Sequence, residues 1–145
     1  MNWRIPILVT FCATTALAHS GVKNPAVLAR MNGMSAIAQN VKVLGTMAKG
    51  QIAFDAATAQ EAAAAIARHS EASVTLFAPQ ETDPHSEARA MIWDNFDDFT
   101  DKAQALKVIG DELAGSIRTL EDVQGAIDPL GDACTACHTL YRAKH

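Results

Sequence analysis

Apolar residues in this chain recur every three or four positions along most of its length, and no segment sustains a two-residue alternation. That period belongs to helices rather than strands. Four helical segments follow from it. The first is expected from Pro25 to Lys49, with Asn24 as its cap, Pro25 in its first turn and Gly50 just past its end. Its apolar face reads Val27, Met31, Met34, Ala38, Val41, Gly45 and Ala48. The second starts after the N-cap Asp55 and runs through alanine-rich sequence toward Phe77. Residues 78–86 contain Pro79 and Pro84 among polar residues and read as a loop. The third is expected from Glu87 to Ile117, with a core stripe that includes Ile92, Trp93, Phe96, Phe99 and Ala103. Its acids Asp94, Asp97, Asp98 and Asp101 read as a solvated surface. The fourth is expected from Leu120 to Lys144, with a kink at Pro129. The fold class is therefore all-α, an antiparallel four-helix bundle, an architecture able to place a cofactor between facing helices.

The 145 residues are one-domain length. Residues 1–18 are set apart as a signal peptide. Arg4 supplies the positive start, Ile5 to Ala13 is apolar but for Pro6 and Thr10, and Ala16-Leu17-Ala18 is a small-x-small cleavage site. The apolar run is too short for a membrane span, so residues 19–145 are expected as an exported domain in the periplasm without membrane insertion. The formal charge of −4, one unit more negative without Arg4, argues against nucleic acid as a partner.

Three cysteines need an account. Cys12 lies in the leader and departs with it. A disulfide between Cys134 and Cys137 would close only a tiny loop and restrain little of the unfolded chain. The run Cys134-Thr135-Ala136-Cys137-His138 is instead the attachment motif of c-type haem. Two thiols one helical turn apart can each add to a haem vinyl group, and the next residue, His138, is then held under the porphyrin as an iron ligand. A zinc site needs about four ligands. His19, His69, His85 and His145 are scattered, and no second cysteine pair exists. A thioredoxin-like dithiol would require strands.

The stretch from Cys134 through Tyr141-Arg142-Ala143-Lys144, near the C-terminal end of the chain, resembles the end of class II cytochromes c, the cytochrome c' family. Arg30 through Lys49-Gly50 resembles that family's first helix, and Ile92-Trp93 the start of its third. The resemblance implies an antiparallel bundle with one covalent haem c lying between the helices near one end. It also implies a choice between two branches. In the low-spin branch a methionine of the first helix is the second axial ligand, at a position fifteen residues before the lysine of the closing Lys-Gly pair. Met34 occupies that position, with Met31 one turn earlier as its substitute. In the five-coordinate branch the distal side is open to nitric oxide or carbon monoxide. The resemblance further makes Arg30 and Arg142 candidates for contacts with haem propionates, and Trp93 a candidate for packing on the haem. The expected function is that of a periplasmic one-electron carrier, not an enzyme. Its partners are redox proteins, and it is a monomer or a homodimer.

Overall fold

A computed structural model describes residues 21–144. The expected leader, residues 1–18, lies outside the described residues. Four long helices and one short one form in chain order: α1 Pro25–Ala48, α2 Ala56–Phe77, α3 Met91–Asp94, α4 Phe96–Ser116 and α5 Leu120–Tyr141. The long helices pack in a ring, with α1 and α4 each lying against both α2 and α5. Among the described residues no strand forms, and no helix is long and apolar enough to cross a membrane.

Local chemistry sets the helix ends. The Asn24 side chain accepts from the amides of Ala26 and Val27 at 2.9 and 3.1 Å. Asp55 accepts from Thr58 N at 2.7 Å. Thr119 and Asp122 form a reciprocal capping box at the start of α5. Gly50 takes a φ of +66° as α1 stops, a conformation glycine adopts without a Cβ penalty. The α5 helix continues through Pro129.

The expected third helix is shorter and broken. Residues 87–89 are not helical, because their backbone groups are used by the end of α5. Arg89 N donates to Tyr141 O at 2.9 Å, and Ala143 N donates to Glu87 O at 2.8 Å. Ala88 and Arg142 form an antiparallel bridge. The same pairing ends α5 at Tyr141 rather than Lys144. Asn95, at φ −133° and ψ 47°, separates α3 from α4.

The α1 helix presents two apolar sides. The deeply buried side is Val27, Arg30, Gly33, Ile37, Leu44 and Met47. Ile37, Leu44 and Met47 belong to a cluster with Ala59, Ala62, Ala63 and Ile66 of α2 and Val123, Ala126 and Leu130 of α5. The stripe expected from sequence lies about one residue around the helix from this side. Of its members only Val27 is fully buried, and Ala38 is exposed. Met31, Met34, Ala38 and Val41 face a cavity instead. A second, smaller cluster joins Phe77, Ile92, Phe99 and Tyr141, and Met34 packs against both clusters.

Helices α2 and α4 approach closely at Gly110. A Cβ there would lie 2.9 Å from Ala63 O, Ala67 N and Ala67 Cβ. Two of those atoms are backbone, so α2 would have to move. Gly110→Ala is expected to lower stability by about 1–2 kcal/mol, overpacking outweighing the gain in helix propensity. Gly125→Ala, where a Cβ meets nothing within 4 Å, should leave stability unchanged or raise it. Urea midpoints of the two variants check both.

Candidate haem site

The cavity between α1, α2, α4 and α5 has a volume of about 530 Å³. That lies within the ~300–1,000 Å³ common for cofactor and small-ligand sites. Its walls are mostly apolar. Two buried serines that line it turn their hydroxyls onto backbone: Ser70 donates to Ala103 O at 2.8 Å and Ser73 to His69 O at 2.9 Å. One end is built of rings. Phe77 and Phe99 have centroids 4.9 Å apart, and Phe99 meets Tyr141 edge-on at 5.6 Å.

The fourth wall carries the motif. Cys134, Cys137 and His138 all line the cavity from α5, and no disulfide joins the two cysteines. Burial pushes both thiols above the ordinary cysteine range. Partial burial, followed by the charge of Arg142, draws His138 below its ordinary value, with Glu87 acting in the opposite direction. His138 is exposed to solvent, but the protein flanking it favours the neutral ring, the form that offers a lone pair to a metal. Across the cavity, Met31 and Met34 project from α1. Fold topology thus brings residues about 100 positions apart in sequence to facing walls.

Three other residues singled out from sequence stand differently. Arg142 does line the cavity, and its Nε donates to Glu87 Oε2 at 2.5 Å. Arg30 also lines it but is only 2% exposed, and its N–H groups are directed at backbone. It donates to Leu76 O at 2.9 Å, to Glu81 O at 2.8 Å and to Pro79 O. Its guanidinium also lies over the rings of Phe77 and Trp93, at 5.1 and 5.3 Å. Arg30 therefore clamps the 76–81 segment, a task its sequence position did not signal. Trp93 is not among the residues lining the cavity. Its indole donates to Phe77 O at 2.7 Å and covers Arg30.

Sequence reasoning missed two charged groups on the cavity wall, Glu87 and Lys102. Lys102 pairs with Asp98 at 2.7 Å, and Asp98 also accepts from the Tyr141 hydroxyl. Removal from water and the Asp98 carboxylate push Tyr141 up to about 12. Asp98 is exposed like Asp94, Asp97 and Asp101, but it is also engaged by Lys102 and Tyr141. The four-residue spacing of Asp98 and Lys102 was a usable signal. The contact with Tyr141 left no trace in sequence. Among the described residues no three His, Cys, Asp or Glu side chains gather as a metal-ion cluster.

Comparison with known proteins agrees with this geometry. The family model described as Cytochrome C' matches residues 25–142. Cytochrome c-556 of Agrobacterium tumefaciens (strain II Chrys) is 34% identical over 112 residues, covering 77% of this chain and 91% of that protein. Cytochrome c-554 of Cereibacter sphaeroides is 36% identical over 117 residues, covering 77% and 76%. The solved structure of cytochrome c' from Rhodopseudomonas palustris superposes with a TM-score of 0.77 at 27% identity, covering 84% of this chain and 98% of that one. The chain belongs to the cytochrome c' family, haem electron carriers whose members hold a covalently bound c-type haem with iron. The residues present fit that group: two thiols one helical turn apart, an adjacent imidazole, and an apolar enclosure with cations at its edge.

Proposed function

We propose that this chain is a periplasmic one-electron carrier whose haem is tethered by Cys134 and Cys137 and ligated by His138 and Met34. The observation that carries the reading is that Met34 and the Cys134/Cys137/His138 wall border one apolar cavity. A haem iron held there supplies one-electron exchange between its ferric and ferrous states. The two thiols fix the group to α5. The neutral imidazole of His138 offers a strong nitrogen donor, and the soft thioether of Met34 favours the reduced metal. Met31 shares the cavity wall, but Met34 alone of the two packs against both core clusters, which restricts its movement. Phe77, Phe99 and Leu106 keep water from the enclosed face.

Arg142 and Lys102, whose ion pairs with Glu87 and Asp98 are partly exposed, are the cations that could turn to the haem carboxylates, whereas Arg30 is buried and committed to three carbonyls. With His138 and Met34 both holding the metal, no position would be left for a substrate, so the reading is a carrier and not a catalyst. Its partners are other redox proteins, met after export under the leader of residues 1–18.

Optical spectra of both oxidation states, followed by carbon monoxide addition, test the ligand set. The parent protein is expected to be six-coordinate and low-spin and to bind the gas slowly. Met34→Ala should convert the whole population to a high-spin form that binds it rapidly, while Met31→Ala should keep the parent spectrum. An unchanged spectrum in Met34→Ala removes Met34 from the ligand set. A parent protein that is already high-spin and takes up carbon monoxide at once belongs to the gas-binding alternative.

A further inference from the structure

Beside His138, residues 87–89 and 141–143 run antiparallel, held by Ala143 N to Glu87 O at 2.8 Å and Arg89 N to Tyr141 O at 2.9 Å. Arg89 Nη1 adds a bond to Leu140 O at 2.9 Å. The two side chains that this pairing brings together, Glu87 and Arg142, are joined at 2.5 Å, and both line the cavity next to His138. Arg142 N donates in turn to His138 O at 3.1 Å. An opposed charge pair thus stands on paired backbone on the imidazole side of the cavity, with both side chains partly exposed.

We propose that Glu87 and Arg142 are positioning residues that balance the reduction potential of the iron, Glu87 lowering it and Arg142 raising it. The proposal rests on His138 as the iron ligand and does not depend on Met34. The oxidised metal carries one more positive charge than the reduced metal, so a nearby carboxylate favours oxidation and a nearby guanidinium favours reduction. Groups around a metal-bound histidine also set its basicity and orientation. As a close pair their effects largely cancel, and removal of one unmasks the other. The other charged pair on the wall, Asp98 and Lys102, is the same in every variant and does not contribute to the differences.

Spectroelectrochemical titration of the holoprotein tests this with Glu87→Gln, Arg142→Gln, the double variant and Glu87→Asp. Glu87→Gln is expected to raise the potential and Arg142→Gln to lower it. Each should move the ferric-to-ferrous ratio at fixed poise by about threefold or more. The double variant and Glu87→Asp should return close to the parent. Urea midpoints are measured alongside, because a purely structural role lowers stability in both single variants without shifting the potential in opposite directions. Shifts of the same sign, or none, overturn the proposal. If Glu87→Gln does not accumulate folded, Arg142→Gln alone decides by the sign of its shift. A parent spectrum without imidazole ligation defeats the site assignment itself. A normal parent spectrum with same-sign shifts defeats only the charge balance.

Discussion

Alanine at both Cys134 and Cys137 is expected to abolish haem stain on the denatured chain, where the parent retains it in full. Denaturation dissolves the cavity and breaks axial bonds, so only a thioether carries colour through the gel. Cys134 and Cys137 are the two cysteines among the described residues, and both face the cavity. Each single variant keeps one attachment point and should retain stain. The double variant keeps the cavity walls and His138, so it can still hold haem reversibly in the native state, with stability that depends on haem concentration. Haem staining after denaturing electrophoresis, with intact mass, measures the outcome. Stain persisting in the double variant would place the attachment elsewhere and remove the basis of the site.

Arg30→Met is expected to cost about 2–4 kcal/mol, a large share of the ~5–15 kcal/mol that holds an ordinary domain together. The side chain is buried in the packed face of α1, with burial drawing its pKa below the usual guanidinium value against the pull of Glu81. Methionine fills comparable space but returns nothing to the carbonyls of Leu76, Pro79 and Glu81, and it gives up the contacts with Phe77 and Trp93. Pro79 and Glu81 are exposed, so their carbonyls can recover water, which sets the lower end of the range. Arg30→Lys should recover little, because a single ammonium cannot reproduce the planar fork that reaches three carbonyls. Urea unfolding of the holoprotein measures the loss. A change below about 1 kcal/mol would mean that the clamp contributes little beyond ordinary surface polarity.

What could be read from sequence was what is encoded locally. The helical period, the caps at Asn24 and Asp55, and the Cys134-x-x-Cys137-His138 run are each written within a few residues. They located α1, α2 and α5 and one wall of the cavity. What escaped depends on partners far away along the chain. Residues 87–90 carry ordinary helix formers, yet residues 141–143 draw the segment from Glu87 to Arg89 out of the helix. Arg30 reads from the resemblance as a candidate haem contact, and only the folded chain shows the carbonyls of Pro79 and Glu81 taking its N–H groups. The face of α1 was read about one residue around from its deepest side because that helix is apolar on two sides, one for its neighbours and one for the cavity. The position of Met34 was legible only through the family resemblance. Periodicity alone could not separate it from Met31, and both line the cavity.

The segment between α2 and α3 reaches both extremities of the bundle. Asp83 accepts from the amides of Lys23 and Asn24 at 2.9 and 3.0 Å, and four positions later Glu87 takes the amide of Ala143 at 2.8 Å. Chain ends are ordinarily where a domain frays first and independently. Here the start of α1 and the end of α5 are tied to neighbouring points on one belt, so losing the belt is expected to loosen both. The first turn of the bundle and the turn that carries the imidazole are therefore expected to open together, which amide hydrogen exchange in both turns would read.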